Sequence, residues 1–103
     1  MRKLYLLFFL LFLLQSNLIS QLGWNQQQCG TTENLNAVFF INNKVGTVVG
    51  NNGTILRTTN GGETWENQSS GTNQNLGSLT YINENNIYVV GGSVVLHTTD
   101  GGV

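Results

Sequence analysis

The sequence predicts an all-β protein built from a duplicated unit of four antiparallel strands, with just under two units present. Three observations lead there. Downstream of the first twenty residues, no stretch places apolar residues at i, i+3, i+4 and i+7, the spacing of a helix face. Short runs rich in Val, Ile, Phe, Tyr and Thr lie instead between clusters of Asn and Gly, which reads as strands and tight turns. The chain also repeats itself. Trp24 and Trp65 are 41 residues apart, as are Gly30 and Gly71, Thr31 and Thr72, and Leu35 and Leu76. Ile41-Asn42 match Ile82-Asn83, and Val48-Val49-Gly50 match Val89-Val90-Gly91. One residue is then lost in a turn and the offset falls to 40, pairing Leu56 with Leu96, Thr58-Thr59 with Thr98-Thr99, and Gly61-Gly62 with Gly101-Gly102.

Residues 1–20 stand apart from the repeat. Arg2 and Lys3 precede an unbroken apolar run over residues 4–14, and polar and small residues follow to Ser20. That is the layout of a secretory signal peptide, cut after Ser20. The run is shorter than the ~20 residues that span a bilayer, so no stable membrane span is expected after cleavage; an uncleaved anchor is the alternative. Export would place the protein in the periplasm, at the cell surface or outside the cell. The rest of the chain divides into a first unit over residues 21–64, Trp to Trp, and a second over residues 65–103.

In the first unit, residues 35–41, 45–49, 54–59 and 63–67 read as strands. Asn42-Asn43-Lys44, Gly50 to Gly53 and Asn60-Gly61-Gly62 read as the turns between them. Asn-Gly pairs supply the positive φ that two-residue hairpins require. In the second unit, residues 76–82, 87–90 and 94–99 are the matching strands. The repeat breaks off before its fourth strand, so the chain is expected to be a piece of a longer array. Four antiparallel strands per roughly 40 residues make a β-propeller blade.

Composition excludes several functions. Beyond the leader, Lys44 and Arg57 face five acidic side chains, which gives no basic field for nucleic acid. Cys29 is the single cysteine, so there is no disulfide framework and no thiolate metal site. It can be a small buried residue, an intermolecular partner, or half of a pair whose other half lies elsewhere.

The phrase TTNGGETW at residues 58–65 has a turn chemistry of its own. A tight hairpin strands backbone N–H groups, and a short Asn or Asp side chain can accept from the backbone two residues on. Gly62 suits a conformation that a β-carbon opposes. Trp65 supplies a large apolar cover. With Thr58, Asn60, Gly62, Thr64 and Trp65 in place, the stretch resembles the Asp-box, or BNR repeat. Thr98, Asp100 and Gly102 restate it in the second unit. The longer stretch over residues 35–76 resembles a repeat of the photosystem II assembly and stability factor family, with Asn60 where that pattern carries Asp.

The resemblance implies a non-enzymatic propeller module that binds a protein or a glycan. The alternative is a piece of a sialidase-like glycoside hydrolase with its catalytic residues outside this chain. Such enzymes use an arginine cluster and a tyrosine–glutamate nucleophile, whereas here Arg57 is the only arginine after the leader. No catalytic constellation is expected, and no cofactor. Calcium takes six to eight oxygens, and Asn60 has only Glu63 close by in sequence, so the box is expected to be architectural. Arg57 and His97 occupy equivalent positions just before the Thr-Thr pairs. In photosynthetic members an arginine recurs there within a partner-binding basic patch, so by resemblance this column lines one propeller face. An ordinary solvent-facing strand position is the competing expectation.

Overall fold

The structure is a computed structural model and describes residues 23–103. The expected signal peptide lies outside the described residues. Seven strands follow one another: β1 (Leu35–Phe40), β2 (Gly46–Gly50), β3 (Ile55–Thr58), β4 (Glu66–Gln68), β5 (Ser78–Tyr81), β6 (Ile87–Gly91) and β7 (Val94–Thr98). They form two antiparallel sheets with spatial order β1-β2-β3-β4 and β5-β6-β7. The described residues contain no helix, and none that is long and apolar enough to cross a membrane.

The turns show why each sheet folds back on itself. Asn42 accepts the N–H groups of Lys44 and Val45 on its Oδ1, both at 2.8 Å, and closes the β1–β2 turn. Its counterpart Asn83 accepts from Asn85 and Asn86 at 3.0 Å and closes β5–β6 in the same way. Between β2 and β3, Asn52 and Gly53 both take positive φ, at 56° and 68°. That is the signature of a type I′ turn. The lost residue falls at the matching place in the second unit. There Gly92 alone turns positive, at φ 54°, and Gly91 pairs directly with Val94 across a two-residue loop.

Two strands start more than one residue away from the sequence expectation. β4 begins at Glu66 rather than at residue 63, because Asn60 and Thr64 are tied into the preceding turn by side-chain hydrogen bonds. β5 begins at Ser78 rather than at residue 76. Leu76 is fully buried and donates its N–H to the Gly50 carbonyl at 3.1 Å, so it belongs to the seam between the sheets.

That seam is the core. Val45 and Val49 from the first sheet meet Tyr81, Ile87 and Val89 from the second, with Leu76 between them. Phe39 stacks on Tyr81 with ring centroids 5.4 Å apart, and the Tyr81 hydroxyl is hydrogen-bonded to the buried Thr47 hydroxyl. Asn36 Nδ2 donates to the Leu76 carbonyl at 2.9 Å and so crosses the seam. At the entry to each unit the backbone passes close to a glycine. A β-carbon on Gly50 would sit 2.3 Å from the Asn34 carbonyl oxygen, and one on Gly91 would sit 2.1 Å from that of Asn75. Duplicated residues thus make the same close approach twice.

Candidate functional site

The repeated turn after the third strand is the feature that distinguishes these sheets from plain meanders. In the first unit β3 delivers Thr58, which is 1% exposed, to the mouth of the turn. Its hydroxyl accepts the Gly62 N–H at 2.9 Å and donates to Asn60 Oδ1 at 2.8 Å. Asn60 Oδ1 also accepts the Thr64 N–H at 3.0 Å, and Asn60 Nδ2 donates to the Thr64 hydroxyl at 2.7 Å. Gly61 and Gly62 take φ of 74° and 90°, in the region side chains avoid. The half-buried Trp65 lies over Gly62 and meets Phe40 edge-on at 6.0 Å. Sequence reasoning expected the Asn60 acceptor to serve the backbone two residues on. In the first turn it serves the backbone four residues on, and the Thr58 hydroxyl takes the Gly62 amide instead.

The second turn repeats half of this. Thr98 accepts the Gly102 N–H at 2.9 Å and donates to Asp100 Oδ1 at 2.7 Å. Here the acidic side chain does accept from two residues on, Gly102 N–H to Oδ1 at 3.2 Å. The Thr98 hydroxyl holds the Asp100 carboxyl below the ordinary aspartate value against the opposing desolvation, and the N–H groups of Gly102 and Val103 add to the lowering.

Arg57 and His97, equivalent in sequence, do different things. Arg57 is half-buried and reaches across the seam, where Nη1 donates to the Gly101 carbonyl at 2.8 Å. Gln68 Nε2 donates to the same carbonyl at 2.9 Å. Arg57 therefore braces the second turn, and an ordinary solvent-facing strand residue is the wrong description of it. His97 is exposed, stacks on Tyr88 at 4.1 Å and 9°, and shares a 3.1 Å hydrogen bond with Asn86. No hydrogen bond or ring contact joins it to Arg57. Gln68 and Asn36, two further polar side chains that cross the seam, carried no motif and were missed. Their only sequence signal is their place in a duplicated unit, at the edge strands.

The two turns flank a polar cleft of about 240 Å³. Arg57, Thr64, Glu66 and Gln68 line it from the first unit, and Asn85 and Asp100 from the second. A second cleft of about 280 Å³ opens beside it, between Thr47 and Ile55 on one side and Val89 and Leu96 on the other. Among the described residues no three of His, Cys, Asp and Glu converge as metal ligands. Cys29 is a half-buried free thiol.

Comparison with known proteins places this geometry. No curated protein matches the chain. A solved structure described as YCF48 bound to D1 peptide is similar over 78% of this chain, at 30% identity and a TM-score of 0.65. The match spans 28% of that protein's length. The family model of photosynthesis system II assembly factor YCF48 matches residues 16–103. With the blade-like sheets and duplicated turns it runs through, that match shows that the chain belongs to the photosynthesis system II assembly factor YCF48 family of BNR-repeat propellers.

Proposed function

We propose that the protein is an exported, non-enzymatic propeller module whose ligand is a peptide segment of a protein partner. One observation carries this reading: the similar solved protein was captured with a peptide bound. The cleft between the two turns supports it. It offers cationic, anionic and amide groups side by side in Arg57, Glu66, Asp100 and Gln68, a donor–acceptor mix suited to main-chain amides. Arg57 spends one N–H on Gly101 and carries five in all, so donors remain for a ligand carbonyl or carboxylate. Glycan binding and a sialidase-like parent are the readings this one competes with.

The test uses the full chain and three probes. A synthetic D1 peptide and a scrambled version are titrated by calorimetry, and a fluorogenic sialoside is offered as substrate. The proposal expects heat with the ordered peptide, less with the scrambled one, and no turnover. Sialoside hydrolysis would reject the non-enzymatic reading, and equal binding of both peptides would reject a sequence-reading cleft. Export is tested separately by sequencing the N-terminus of secreted protein, which is expected near Gln21. An intact Met1 on exported protein would favour the anchor.

A further inference from the structure

Asparagine is followed by glycine at two places, Asn52-Gly53 and Asn60-Gly61. The pairing is chemically fragile. A glycine, with no β-carbon to crowd the approach, leaves its backbone nitrogen free to attack the side-chain carbonyl of the asparagine before it. By local sequence the two sites are alike. The fold also treats their nucleophiles alike. The Gly53 N–H donates to the Gln74 carbonyl at 2.8 Å, and the Gly61 N–H donates to the Lys44 carbonyl at 2.9 Å. Both glycines take positive φ, at 68° and 74°.

The carboxamides differ. That of Asn60 is held at both ends. Its Oδ1 accepts from the Thr58 hydroxyl at 2.8 Å and from the Thr64 N–H at 3.0 Å, and its Nδ2 donates to the Thr64 hydroxyl at 2.7 Å. Asn52 is exposed, and among the described residues its carboxamide makes one long hydrogen bond, from Nδ2 to Glu33 Oε1 at 3.4 Å. The Asn52 backbone is held more firmly, with its N–H on Asn75 Oδ1 at 3.0 Å. Asn52 thus presents a loosely held side chain on an anchored turn.

We propose that Asn52 is a site of spontaneous deamidation in the folded protein, and that the box turn protects Asn60 from the same reaction. The proposal is independent of the ligand reading above. Local opening frees the Gly53 N–H from Gln74, and hydroxide takes its proton. The Gly53 nitrogen then attacks Asn52 Cγ. A bond forms between them, the bond from Cγ to Nδ2 breaks, and ammonia leaves with a proton from water. Water opens the resulting five-membered imide at either carbonyl, giving aspartate or isoaspartate. No atom is oxidised or reduced. Ring closure needs the carboxamide to swing onto the glycine nitrogen. Asn52 gives up one long bond for this, and Asn60 gives up three ordinary ones.

Either product changes the turn. Aspartate sets a carboxylate where Nδ2 now donates to Glu33, so a donor–acceptor contact becomes a pair of like charges. Isoaspartate adds a methylene to the main chain between the Asn52 and Gly53 N–H groups, which now reach Asn75 and Gln74. Those two bonds tie the β2–β3 turn to the connection that leads into the second sheet, so the modification loosens that tie.

The test incubates the full chain, folded and denatured in guanidinium chloride, in the same mildly alkaline buffer. Peptide mapping by mass spectrometry follows conversion at both asparagines. In the denatured chain the two sites are expected to convert at similar rates, since only local sequence acts there. In the folded chain Asn52 is expected to convert roughly tenfold or more faster than Asn60, because three hydrogen bonds rather than one long one oppose ring closure. Thr64→Val removes the hydroxyl that receives Asn60 Nδ2 and is expected to narrow the ratio. A folded-state ratio no larger than the denatured one overturns the proposal, as does an Asn52 that converts only when denatured. A ratio that Thr64→Val leaves unchanged overturns the protective role given to the box turn.

Discussion

The two box turns start from the same phrase and end as different devices. The first is closed on itself. Asn60 bonds forward to both the amide and the hydroxyl of Thr64, and Trp65 lies over the glycine. The second is held from outside, by Arg57 and Gln68 of the first unit converging on the Gly101 carbonyl. Within it, Thr98 and Asp100 both accept the Gly102 N–H. The first turn is tied by side chains of its own unit, whereas the second also receives donors from across the seam. Self-sufficiency in a repeat is thus a property of each copy's surroundings as well as of its sequence.

The comparison depends on the seam that lets one unit brace the other, and the largest effect is expected there. Leu76→Ala empties a fully buried site between the sheets and should cost about 2–5 kcal/mol in a urea melt at fixed protein concentration. A shift of a few tenths would mean that the sheets do not lean on each other. The next test separates the turns. Thr58→Val leaves the Gly62 amide without its acceptor inside a buried turn, for about 1–3 kcal/mol. Thr98→Val removes the same bond from a half-buried turn with a second acceptor in Asp100, so its cost should fall below that of Thr58→Val. Equal costs would erase the distinction drawn here. Smaller again, Arg57→Ala removes one of two donors to Gly101 and should cost about 1 kcal/mol. Faster hydrogen exchange should then appear in the second turn and not in the first.

The smallest effect is one of pH. The Asp100 pKa is lowered in the folded state, so its contribution is present above the ordinary aspartate value and is lost as pH falls through the lowered one. Asn60 does not titrate. Asp100→Asn should therefore flatten the acid limb of the stability profile, and Asn60→Asp should deepen it while leaving stability at neutral pH within about 0.5 kcal/mol. In that variant the carboxylate still accepts the Thr64 amide, and the Thr64 hydroxyl can turn to donate. An unchanged acid limb in Asp100→Asn would show that the carboxyl is not coupled to folding.

The sequence by itself determined the units, the strands and the turn chemistry, because these are local. Alternation and Asn-Gly punctuation set strands and hairpins within a few residues of each other, and a fixed offset copies them. Asn42 and Asn83 close matching turns, and Gly50 and Gly91 make matching close approaches, for that reason. The displaced starts of β4 and β5 were not legible, because a side-chain network in one case and burial in a seam in the other override strand propensity. The fates of Arg57 and His97 were decided only by tertiary structure. The first sheet turns Arg57 toward the second unit and its Gly101 carbonyl, whereas His97 is exposed and bonds to Asn86 of its own unit. A repeat determines which residues are equivalent, and packing determines what each equivalent residue touches.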